Sequence, residues 1–179
     1  MDVDPTIVEL DLFTDRSTIW LVNERWESIP RRAGVYNEQL DKTIIHLESS
    51  QVGDPMTLVG MIAHELAHFQ LLGERRISID IFDNEILTDL TVAFHGMGIF
   101  LANVPRVWKS GFSNWPGTNA RKPEYMTPQM FGYTLAHAAW HRNEQKPSWA
   151  QHLRTDARCA FKQGLRYLWE TNDSEFTPE

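Results

Sequence analysis

An α+β fold is predicted for this chain: a small β-sheet in the N-terminal part, then a long helix, then a mainly helical C-terminal half. Three observations predict it. Strand-like stretches cluster before residue 50. From residue 54 onward, proline-started segments with helical apolar spacing take over. Sheet first and helices after is the order of the α+β class. With 179 residues, 42% of them hydrophobic and seven of them tryptophan, the chain is long enough to bury a sizeable core as a single domain over 1–179.

The elements follow in order. Residues 6–13, Thr-Ile-Val-Glu-Leu-Asp-Leu-Phe, alternate in polarity and predict a strand, and 35–37 and 43–48 predict two more around Gln39-Leu40-Asp41-Lys42. Asp54 and Pro55 supply an N-cap and a first-turn proline for a helix running to about residue 72, where Gly73 stops it. Val59, Ile62, Ala63, Leu66 and Phe69 are its expected apolar face. A second helix is expected from about 84 to 103, ending before Pro105. Residues 108–125 are rich in Gly, Pro, Asn and Ser, with Trp108, Phe112 and Trp115 interspersed, and read as a long loop or lid. Thr127-Pro128 starts a third helix to about 142. Pro147-Ser148 opens a segment leading to a fourth, about 155–170, after which the polar residues 171–179 are expected to fray. No internal repeat or low-complexity block divides the chain.

His64-Glu65-Leu66-Ala67-His68 spells H-E-x-x-H on the first of these helices. Four residues of helix leave the two histidines about 40° apart around the axis, so both imidazoles can reach one metal ion. Glu65 lies about 100° further round, within reach of a water on that ion without being a ligand. A chain of this His and Glu content produces the pattern by chance only ~0.02 times. The plainer account is a solvated helix face that carries two histidines and a glutamate. A catalytic zinc takes three protein ligands and keeps a fourth position for water, so the His pair asks for one more ligand. In Asn84-Glu85-Ile86-Leu87-Thr88-Asp89, Glu85 and Asp89 share a face at i and i+4. Glu85 is placed to complete a His2Glu set, and Asp89 to accept the free ring N–H of one zinc histidine and fix its tautomer. Asp80 and Asp83 are less economical alternatives for the third ligand. The plain account of Glu85 and Asp89 is a like-charge pair on a wet face, mildly unfavourable by itself.

At these residues the chain resembles the gluzincins, the thermolysin-like branch of the zincin metallopeptidases, through H-E-L-A-H at 64–68 and N-E-x-x-T-D at 84–89. The resemblance covers residues 58 to about 101. It implies zinc, one ion per chain, on His64, His68 and Glu85, with Glu65 as general base and Asp89 buttressing a histidine. It also implies a zincin-like sheet over the active-site helix, with an edge strand holding extended substrate by β-augmentation. The 43–48 strand is the expected edge. The spacer between the two motifs is shorter than thermolysin's. Zincins carry a backing helix before the sheet, so a minimal or N-terminally shortened version is expected. Metzincins are excluded, because Leu71 and Glu74 stand where that motif requires Gly and His.

The remaining signals bound the function. A net charge of −7 gives no general attraction to nucleic acid or to an anionic membrane, and neither is an expected partner. The longest apolar run, 90–104, is interrupted by His95, Gly96 and Gly98 and falls short of the ~20 residues of a bilayer span, so it is expected as a buried helix whose glycines allow close packing. Cys159, the single cysteine, is expected as a small core residue. The start Met-Asp-Val-Asp-Pro has no basic, apolar signal pattern, and a cytoplasmic location is expected. His46, His95, Tyr125, Tyr133, His137 and His141 are conceivable oxyanion donors, each weak alone. Arg158, Lys162 and Arg166, with Arg154 before them, form a basic stripe that reads first as a solvated face and second as a seat for an anionic partner. The expected function is a zinc-dependent hydrolase, most simply a metallopeptidase acting on peptide or protein. The alternatives are a regulatory zinc protein without catalysis and a metal-free scaffold.

Overall fold

The computed structural model describes residues 1, 3–14, 34–39, 42–49, 52–78, 80–104, 110–114, 121–123 and 125–175. They form a mixed helix and strand architecture of the α+β kind, in two compact units, Met1–Ile77 and Ser78–Glu179.

In the first unit Asp4 caps a 3-10 turn, Pro5–Ile7, its Oδ1 accepting from the Thr6 amide at 2.9 Å. Strand β1 (Val8–Phe13) follows, then β2 (Gly34–Gln39) and β3 (Lys42–Glu48), in the sheet order β1-β3-β2. β1 runs parallel to β3, and β2 antiparallel to it. Along β3 Thr43, Ile45 and Leu47 are buried while Ile44 and His46 are half-buried, the period of two that a strand imposes. The expectation that 43–48 is an edge strand is corrected. Both sides of β3 are paired over its length, which leaves it no free backbone to offer a peptide. On β1, Leu10 and Leu12 are exposed together with Glu9 and Asp11, so alternation there does not mark a buried face.

Helix α1 (Pro55–His68) packs against β2. Asp54 caps it: Oδ1 accepts from the Met56 amide at 3.1 Å and Oδ2 from the Thr57 hydroxyl at 2.5 Å. The Thr57 hydroxyl is the main reason the Asp54 carboxyl sits below the usual carboxylate range. The helix then widens into a π-helical turn, Phe69–Gly73, so the helical run ends at the predicted glycine. Its buried face differs from the expected one. Of Val59, Ile62, Ala63, Leu66 and Phe69 only Ala63 is buried, whereas Thr57, Gly60, His64, Glu65, Ala67 and His68 all are.

In the second unit the expected helix over 84–103 is two helices, α2 (Asn84–Phe94) and α3 (Gly98–Asn103). Gly96 at φ +81° breaks them. The Gly96 amide bonds the Ala93 carbonyl at 3.0 Å and the Met97 amide bonds the Val92 carbonyl at 3.1 Å, the pair of bonds that closes a Schellman cap. Gly98 has the packing role expected of it, since a Cβ there would stand 2.8 Å from the Ala93 Cβ. Residues 90–104 are not buried throughout: Phe94 is 83% exposed and Leu90 is exposed, while Val92, Ala93, Leu101 and Ala102 are core. Among the described residues no helix is long and apolar enough to cross a membrane.

Part of the expected 108–125 loop is a hairpin, β4 (Ser110–Asn114) antiparallel to β5 (Arg121–Pro123). Trp108 and Trp115, and with them the lid expectation, lie outside the described residues, as do 176–179 of the expected frayed tail. Helices α4 (Pro128–His141) and α5 (Thr155–Thr171) match their predicted spans, with a 3-10 turn, Ser148–His152, between them. Thr127 caps α4 through the Met130 amide, and Asn143 at φ +55° ends it. The two helices pack closely because Gly132 and Gly164 lie at their contact, where a Cβ on Gly132 would stand 2.5 Å from the Ala157 carbonyl oxygen. Phe131, Leu135, Trp140, Ala157, Phe161, Leu165 and Leu168 fill the core around them. Asn103 ties α3 to this pair, donating to the His152 carbonyl at 2.8 Å and accepting from the Arg154 amide at 2.6 Å. Cys159 is exposed rather than core. It stands two residues from both Ala157 and Phe161, about 200° round the helix from each, on the opposite face.

Candidate metal centre

The two histidines of the H-E-x-x-H motif occupy the last two turns of α1, with ring centroids 4.7 Å apart and planes at 89°. Both are buried, at 6% and 8% exposure, and Glu65 between them is at 6%. A solvated helix face would leave these three side chains open, so the plain account of the motif does not describe this helix. Glu85 stands in the first turn of α2, 7% exposed. The face it begins continues through Thr88, Asp89 and Val92, none of which is exposed at all.

The donor atoms of His64, His68 and Glu85 lie within 4.8 Å of one another. Donors ~2.1 Å from one tetrahedral ion stand about 3.4 Å apart, the spacing these three atoms would take on a single cation. Two imidazoles and a carboxylate form the donor set of a catalytic zinc site, and they fit that ion better than the all-oxygen shell of calcium or magnesium. Among the described residues this is the one set of three or more His, Cys, Asp or Glu side chains so close together, and neither Asp80 nor Asp83 joins it.

Asp89 is fully buried, and its Oδ2 accepts the Met126 amide at 2.9 Å. It therefore anchors the chain entering α4 to α2, a role the sequence does not announce because its partner is 37 residues away. Thr88 donates its hydroxyl to the Asn84 carbonyl at 2.7 Å, one turn back, which satisfies the hydroxyl in the core. A further buried polar group escapes sequence reasoning. Gln70, in the π-helical turn two residues after His68, is 6% exposed, and its Oε1 has no hydrogen-bond partner among the described residues. π-helical turns are frequent at functional sites, and an amide amid Phe69, Leu71 and Leu72 was the available signal.

The conceivable oxyanion donors stand on several elements. His46 Nδ1 lies 2.8 Å from the Asp11 carboxylate on the adjoining strand, a cross-strand pair at the register Asp11↔His46. Tyr133 and His137 stack edge to face at 4.7 Å on α4. Burial holds the His137 imidazole below its ordinary value, with the Asp173 carboxylate pulling the other way. His95 ends α2, Tyr125 lies before the cap of α4, and His141 is its last residue.

No protein-family model, curated protein or solved structure matches this chain.

Proposed function

We propose that the chain is a zinc-dependent hydrolase and, by the chemistry of its site, a metallopeptidase of the gluzincin kind in a reduced, zincin-like form. The observation that carries the reading is the convergence of the His64, His68 and Glu85 donor atoms within 4.8 Å, with Glu65 buried one helical step from His64. The substrate class is peptide or protein. The sheet packed on the helix that bears both histidines supports the zincin-like reading. Among the described residues its outer strands are β1 and β2.

His64, His68 and Glu85 hold the metal in this reading, one ion per chain. When bound, zinc supplies Lewis acidity toward a carbonyl oxygen and a water of lowered pKa. Glu65 takes the proton of the attacking water and returns it to the leaving amine. Asp89 fixes the orientation of a ligand histidine, adding to its bond from the Met126 amide.

Glu65→Gln tests catalysis apart from binding. The variant is expected to retain one zinc per chain by elemental analysis while hydrolysis of a quenched-fluorescent peptide library falls ~10²–10⁴-fold, the range of a lost general base. A wild-type chain that holds zinc but cleaves nothing in the library indicates a regulatory zinc protein instead.

A further inference from the structure

A concave site separate from the His64, His68 and Glu85 set lies wholly within residues 145–169. Its volume is about 390 Å³ and, among the described residues that line it, there are four cations and no carboxylate. Lys146 comes from the segment before the 3-10 turn; Arg158, Lys162 and Arg166 recur every fourth residue of α5 and so lie along one side of that helix. The apolar part of the lining comes from the buried Phe161 and Leu165 and the half-buried Trp169.

Little neutralises these charges. Arg166 Nε is 3.8 Å from Glu170 Oε1, with the two side chains 74% and 67% exposed, a long and wet pair of small worth. Arg158 donates to the Gln151 carbonyl at 3.3 Å, which orients the guanidinium but leaves its charge. Lys146 and Lys162 have no carboxylate partner among the described residues. In a chain of net charge −7 this is a local reversal of sign. Trp169 adds aromatic surface to the lining: the side chain is half-buried at the end of the row of cations.

We propose that this groove binds an organic anion with an apolar, ring-sized body and a phosphate or carboxylate head. The body covers Phe161, Leu165 and Trp169, and the head meets the cations of α5 and Lys146. A bare inorganic anion would leave the apolar lining uncovered. The volume falls in the small-molecule range of ~300–1,000 Å³. The groove shares no residue with the proposed zinc set, so either assignment can fail alone.

Calorimetric titration of the full chain with naphthyl phosphate, naphthoate and inorganic phosphate, alongside NMR of the tryptophan indole N–H groups, tests the proposal. At least one naphthyl probe is expected to bind at one site with Kd below ~1 mM, at least tenfold tighter than inorganic phosphate. It should move the indole signal that Trp169→Phe removes, and whichever naphthyl probe binds tighter identifies the head. Lys162→Glu and Arg158→Gln, at side chains outside the core, should each weaken binding tenfold or more with an unchanged circular dichroism spectrum. Absence of saturable binding by either naphthyl probe, or unchanged affinity in both variants, overturns the proposal. So does binding of a glutamate-rich peptide in the groove when neither naphthyl probe binds.

Discussion

A histidine at position 137 illustrates how one side chain's surroundings set a measurable property. Burial disfavours the charged imidazole, and the Asp173 carboxylate offsets part of that effect. With the folded pKa below the ordinary ~6.5, the unfolded chain binds the proton more readily. The stabilisation from keeping His137 neutral is therefore complete above about pH 6.5 and is lost as pH falls through the folded value. NMR titration of the His137 ring should give a midpoint below ~6.5, lower again in Asp173→Asn; a midpoint above that value would contradict the burial argument. The pairing of His64 and His68 was legible because the spacing of residues on one helix is local geometry, fixed at 3.6 residues per turn, whereas Glu85 was found only as a downstream carboxylate on another helix. Gln70 and the Asp89 bond to Met126 were not, because what they meet depends on chain far away or on the π-turn itself. Asp89→Ala should cost about 1–3 kcal/mol in chemical denaturation by orphaning a buried amide.

Helix starts marked by a capping side chain and a proline were read closely from sequence, and a helix break inside an apolar run was not. Asp54-Pro55 and Thr127-Pro128 start α1 and α4 where a capping side chain and a first-turn proline agree. The break between α2 and α3 was missed because Gly96 sits in an apolar run that reads as continuous, and only its φ of +81° shows the cap. The place of β3 at the centre of its sheet was equally hidden, since strand order is set by pairing between distant segments. At the crossing of α4 and α5, Gly132 leaves no room for a methyl group, the nearest obstacles being the Ala157 carbonyl oxygen, the Phe161 amide nitrogen and the Ala160 Cβ of α5. Gly132→Ala is thus expected to destabilise the chain by about 1–3 kcal/mol despite its better helix propensity. A thermal unfolding midpoint equal to or above the parent's would show that the helices separate without strain.

Over the whole chain, one compact unit holds a three-stranded sheet and the His-bearing helix, and the other holds the helices among which α2 carries Glu85. The chain's coarse α+β class was legible from the order of strand and helix signals. Its division into two compact units was not, since no linker-like composition separates residue 77 from residue 78. A ligand that binds only the folded chain stabilises it by mass action, about 2.7 kcal/mol at a hundred times its Kd. The unfolding midpoint should accordingly rise with free zinc and fall back on chelation. The central claim is that His64, His68 and Glu85 hold one metal ion together, and zinc titration of the chelator-stripped chain beside Glu85→Ala measures it most directly. The account predicts one tight site in the parent and an affinity at least ~10-fold weaker in the variant. Equal zinc affinity in the two proteins, or no tight site in the parent, would contradict it.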